Sequence, residues 1–150
     1  MYIKNALIVL FMIISTTLFG QIKVDDVGDG WKAKVDSALV LIKTYDSVKY
    51  ELVLKECKTI NFWLGEFSSS LPPNTILISV KDLKLGSINN IACVIVHESL
   101  HLNIASCSIK MDQRLEEYTC YKYELEFLTR LPNVEPWLKS HTYENMLKFQ

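Results

Sequence analysis

Two of the chain's three histidines, His97 and His101, stand four residues apart in "HESLH", with Glu98 directly after the first. On a helix that spacing sends both imidazoles from one face, about 6 Å apart along the axis. Two neutral imidazoles so placed can share one tetrahedral zinc ion, Zn2+. Glu98, rotated by about 100° around the axis, reaches a water on the metal without ligating the metal itself. Zinc lowers the pKa of such a water to roughly 7, and a nearby carboxylate can take its proton as it attacks a carbonyl. The spacing therefore predicts hydrolysis of an amide. The rival is a buried helix whose histidines are satisfied by hydrogen bonds alone. Context favours the metal, because the surrounding segment is largely apolar and two histidines and a glutamate are costly to bury without partners. One cation serves all three.

The elements that must position these residues are legible in outline. Val35, Leu39 and Ile42 recur at helical intervals, predicting a helix over Trp31–Thr44. Asp46 or Ser47 can cap a second helix in "VKYELVLKEC". "KTINFWLGEF" alternates and is rich in β-formers, predicting a strand near Lys58–Leu64; "TILISV", Thr75–Val80, is a second. Ser68–Asn74, "SSSLPPN", reads as a loop, and "DLKLGS" as a turn into a helix starting at Ser87. That helix runs from Ile88 to about Ala105 and is apolar nearly all round, as a helix buried on most sides must be. "DQRLEEYTCYKYELEFLTRL" forms the next helix, stopped by Pro132, and Pro136 can open a short last one. Helices, then strands, then helices make an α+β domain, the active-site helix packed on a small sheet.

The helix resembles that of the HExxH zinc metallopeptidases, the zincins. Val94 and the uncharged Ile95, Ser99, Leu100 and Leu102 match the extended pattern, while Asn103 stands where a hydrophobic residue is usual. The resemblance covers this helix, the strand before it and the helix after it. It implies a small zincin-like domain, a peptide or protein substrate, and a third metal ligand. In that family an edge strand such as "TILIS" pairs with the substrate backbone, a part Thr75–Ser79 would play. The metzincin subtype is excluded, because Ile104 replaces its glycine and Cys107 its third histidine. Cys93 cannot share the metal, since it lies about 12 Å from His101 along the helix. The gluzincin subtype takes a glutamate from the next helix, often with a small residue three positions later. Glu117 with Cys120, followed by Tyr121, fits that pattern best; Glu116 with Thr119 fits nearly as well. Glu124 is expected to be exposed or to support a ligand. A tyrosine among Tyr118, Tyr121 and Tyr123, or His141, is a further candidate for stabilising an oxyanion.

The rest of the chain limits the alternatives. A net charge of −1 over 150 residues gives no basic field for nucleic acid. "MYIKN" followed by the apolar run Ala6–Phe19 reads as a signal peptide, residues 1–20, cleaved near Gly20, because the run is shorter than the roughly 18 residues of a spanning helix. The mature chain, residues 21–150, is then one exported domain, periplasmic or secreted, without a stable membrane span. Export permits disulfides among Cys57, Cys93, Cys107 and Cys120, in any of three connectivities. Two rivals keep the fold and discard the catalysis. In one, zinc is structural, with Cys107 the nearest soft donor in sequence. In the other, the histidines pair with carboxylates and no metal is bound.

Overall fold

In the computed structural model residues 21–150 are described, and the segment read as an export signal lies outside them. Most helices start where a side chain takes up a free backbone N–H. Two do not: Gly30, at φ 74°, opens α1 (Trp31–Tyr45) in a left-handed conformation that costs a glycine little, and Glu135 precedes the last helix without a side-chain cap. Asp46 caps α2 (Ser47–Glu56) by accepting from the Lys49 amide at 3.1 Å. Ser79 caps α3 (Val80–Leu85), Ser87 caps α4 (Ile88–Ser106) and Asp112 caps α5 (Gln113–Leu128) in the same way. Pro136 is the first residue of α6 (Pro136–Lys148), where its missing N–H has no cost. Each capping side chain is worth about 1 kcal/mol.

Four strands, β1 (Lys23–Val24), β2 (Thr59–Trp63), β3 (Ser69–Leu71) and β4 (Thr75–Ser79), form a mixed sheet in the order β1-β2-β4-β3. β1–β2 and β2–β4 are parallel, with Ile60 opposite Ile76 and Phe62 opposite Ile78; β3–β4 is antiparallel, with Ser70 opposite Ile76. Ile60, Ile76 and Ile78 are fully buried. The core they begin continues through Ile91, Ile95 and Leu102 of α4, Val35 and Ile42 of α1, and Phe127 and Leu128 of α5. α4 touches α1, α2, α5, β3 and β4, which makes it the central element. Gly86 permits the sharp entry into α4, since a Cβ there would collide with the Asp82 carbonyl and the Asn90 side chain. The domain is α+β, with the HESLH helix packed on a small sheet.

Several expectations are corrected. Ser68–Asn74 is not all loop: Ser69–Leu71 is a strand made by pairing with β4 rather than by its own β-propensity. Thr75–Ser79 is not an edge, because β2 and β3 occupy both its sides; the edge strand on that side is Ser69–Leu71. The expected turn before Ser87 contains a helix, Val80–Leu85. All four cysteines are free thiols, with Cys57, Cys93 and Cys120 buried as small core residues and Cys107 exposed. Among the described residues no helix is long and apolar enough to cross a membrane.

Candidate metal centre

His97 and His101 leave α4 where it faces α5, and their rings are tilted with centroids 5.0 Å apart. Their Nε2 atoms face each other at 3.2 Å. The Nδ1 atoms point away, each to a carboxylate of α5: His97 to Glu124 at 3.2 Å and His101 to Glu116 at 2.6 Å. Glu117 stands between the rings, one oxygen 3.5 Å from His97 Nε2 and the other 3.6 Å from His101 Nε2. Those last distances are long for hydrogen bonds. They are close to the roughly 3.4 Å that separates two ligand atoms of a tetrahedral zinc with bonds of about 2.1 Å. The Nε2–Nε2 distance fits the same figure.

Two donor sets therefore share the imidazoles. His97, His101 and Cys120 bring one ligand atom each within 4.8 Å of one another and form a group able to hold a metal ion. Glu117, one turn before Cys120 on α5, offers carboxylate oxygens to the same pair. Cys107, expected as the nearest soft donor, is instead an exposed residue at the end of α4; the soft donor is Cys120, whose signal in the sequence was its place one turn after a candidate ligand. Of the two places expected of Glu124, exposed or supporting a candidate ligand, it takes the second: it is buried, with Oε2 at His97 Nδ1. His141 is exposed, beside Asn145 at 3.0 Å, on the wall of a cavity of about 160 Å³ that Glu98 also lines.

The electrostatics follow from burial among carboxylates. Burial disfavours charge on His97, but Glu117 and Glu124 outweigh it and raise the imidazole to about 10. His101 is raised in the same sense, with Glu117 and Glu116 opposing burial. The two histidines in turn hold the Glu117 carboxyl down to about 2. Burial pushes Glu98 above the usual carboxylate value, and Glu117 adds to this, while the two imidazoles pull the other way. A raised carboxyl suits a group that must take a proton and return it near neutral pH.

The cleft in front of these groups has a volume of about 650 Å³ and is walled by Ser68–Ser70, Phe67, Tyr121 and Phe149. Tyr121 meets His97 edge-on at 4.5 Å and stacks on Phe149 at 5.9 Å, so the His97 ring is fixed on its open side by packing.

Asn103, the departure from the zincin pattern, has a local reason. Its amide donates to Glu56 Oε1 at 2.8 Å and ties α2 to the histidine helix. Burial alone would raise Glu56, but the hydrogen bonds from Lys55 and Asn103 outweigh it and hold the carboxyl below its ordinary 4.5. A folded carboxyl that binds its proton less readily contributes stability above the unfolded value and loses it as pH falls through the folded one. Urea midpoints are therefore expected to fall more steeply with acidification below about pH 4.5 in the wild type than in Glu56→Gln. Parallel curves for the two proteins would remove Glu56 from the acid response.

Comparison of the chain with protein-family models, curated proteins and solved structures gave no match.

Proposed function

We propose that this chain is an exported zinc-dependent metallopeptidase with a zincin-like site. His97, His101 and Glu117 hold Zn2+, and Glu98 acts as general base and then general acid. The observation that carries the reading is the pair of Nε2 atoms facing each other at 3.2 Å while both Nδ1 atoms meet carboxylates. An ionised carboxylate only accepts, so each Nδ1 carries a proton, and a cation that displaces any proton from the Nε2 side would meet two lone pairs there. Two lone pairs aimed at one point, with Glu117 beside it, call for a cation there. In the reading without metal one Nε2–H donates to the other Nε2 at 3.2 Å with Glu117 beside it, and metal analysis separates the two.

Bound zinc supplies a polarised carbonyl and an acidified water. The chain's own residues do the rest. Glu98 takes the proton from the attacking water and passes it to the leaving amine. Glu124 and Glu116 keep the two imidazoles in the Nδ1–H tautomer. The Ser69–Leu71 edge, on the wall of the cleft, offers its unpaired side to an extended peptide backbone, the part first expected of Thr75–Ser79. A cleft of about 650 Å³ suits a few residues of a short or unfolded peptide.

A second reading has support of its own: Cys120 as an additional ligand would close the fourth position and make the zinc structural. Metal analysis of the purified chain, with peptide cleavage assayed before and after chelation, tests both. The expected result is one zinc per chain and cleavage that chelation abolishes, with both unchanged in Cys120→Ser. No zinc would end both readings, and zinc lost with Cys120 would favour the structural one.

A further inference from the structure

The third element behind the histidine pair is α6, which the reading above does not use. Thr142 lies on its buried face, one turn after Leu138, and neither side chain is exposed to solvent beyond 1%. The Thr142 hydroxyl donates to Glu124 Oε1 at 2.7 Å. The other oxygen of that carboxylate meets His97 Nδ1 at 3.2 Å. Thr142, Glu124 and His97 thus form one buried chain of hydrogen bonds that joins α6, α5 and α4, and it ends at the imidazole facing the cleft.

We propose that Thr142 is a positioning residue for the metal site, so that α6 sets the metal affinity through Glu124. A buried carboxylate needs a donor on each oxygen. With its Oε1 occupied by Thr142, Glu124 has one orientation, and that orientation directs Oε2 to His97 Nδ1. Without the hydroxyl, the carboxylate is free to rotate toward other donors and the His97 ring loses its fixed tautomer and angle. His101 has no such brace: its partner Glu116 is half-buried and takes no second hydrogen bond among the described residues. The two imidazoles are therefore held unequally, His97 by three helices and His101 by two.

The inference rests on the proposed metal site but not on hydrolysis, so it is tested with metal alone. Zinc affinity of the full mature chain is measured by competition with a chromophoric chelator, and the visible spectrum is recorded with cobalt in place of zinc. Thr142→Val is expected to weaken zinc binding by about 10- to 100-fold, the range for loss of a group supporting a metal-binding histidine. It should also alter the cobalt bands, and Thr142→Ser should restore both. Leu138→Ala, a cavity on the same helix face, should lower the melting temperature while leaving the cobalt spectrum as in the wild type. If Thr142→Val does not fold, Thr142→Ala against Thr142→Ser gives the same comparison. Wild-type affinity and spectrum in the valine or alanine variant would overturn the proposal, as would an equal change in Leu138→Ala. A wild-type chain that binds no zinc would overturn the metal site and this inference together; binding that is indifferent to Thr142 overturns this inference alone.

Discussion

Glu98→Gln is expected to keep its zinc and to lose peptide hydrolysis by about 10²- to 10⁴-fold, the usual contribution of a positioned general base. The substitution preserves size, and residue 98 is not among the groups that converge between the imidazoles, so metal binding has no reason to fall. What it removes is the proton acceptor. Stability supplies an independent check. Burial raises the Glu98 carboxyl above its ordinary value, so ionised Glu98 opposes folding above its unfolded value, and this penalty grows until pH passes the folded one. A neutral glutamine carries no such penalty. The metal-free variant should therefore melt at or above the metal-free wild type at neutral pH. Undiminished hydrolysis in Glu98→Gln would end the role assigned to it.

The second large effect separates two adjacent glutamates. Glu117→Ala is expected to leave the chain without stoichiometric zinc after dialysis, because it removes one of the three ligands proposed, and a catalytic zinc requires three. Glu116→Ala is expected to retain zinc with affinity lowered by about 10- to 100-fold, since it removes only the partner of His101 Nδ1 at 2.6 Å. Zinc content by atomic emission, followed by chelator competition, distinguishes the two outcomes. Zinc retained in Glu117→Ala and lost in Glu116→Ala would reverse the assignment. Equal, small losses would shift attention to Cys120 as the third donor.

The adjacent pair also marks where reading the sequence stops. Neighbours on a helix point about 100° apart, and in "RLEEYTCYKYELEF" both glutamates border apolar positions. Which of them faces the histidines depends on how α5 is rotated about its axis. That rotation is set by Phe127 and Leu128 burying against the core, a contact with partners distant in the chain. The same holds for Glu124, whose burial is visible only once α6 covers it. It holds for Ser69–Leu71 as well, where no β-branched residue announces a strand and hydrogen bonding to β4 alone creates one. Thr75–Ser79 was legible as a strand, but whether a strand is an edge is a property of its neighbours.

By itself the sequence determined a helix from Ile88 to about Ala105, observed as Ile88–Ser106, its start at Ser87, and the common face of His97 and His101, with Glu98 turned aside from them. These follow from backbone geometry and local caps, which need no distant partner. Tertiary structure alone decided which carboxylates meet the two rings, on which nitrogen, and which strand borders the cleft. Such meetings depend on the tilt and rotation of whole elements, fixed by the packing of side chains from separate parts of the chain.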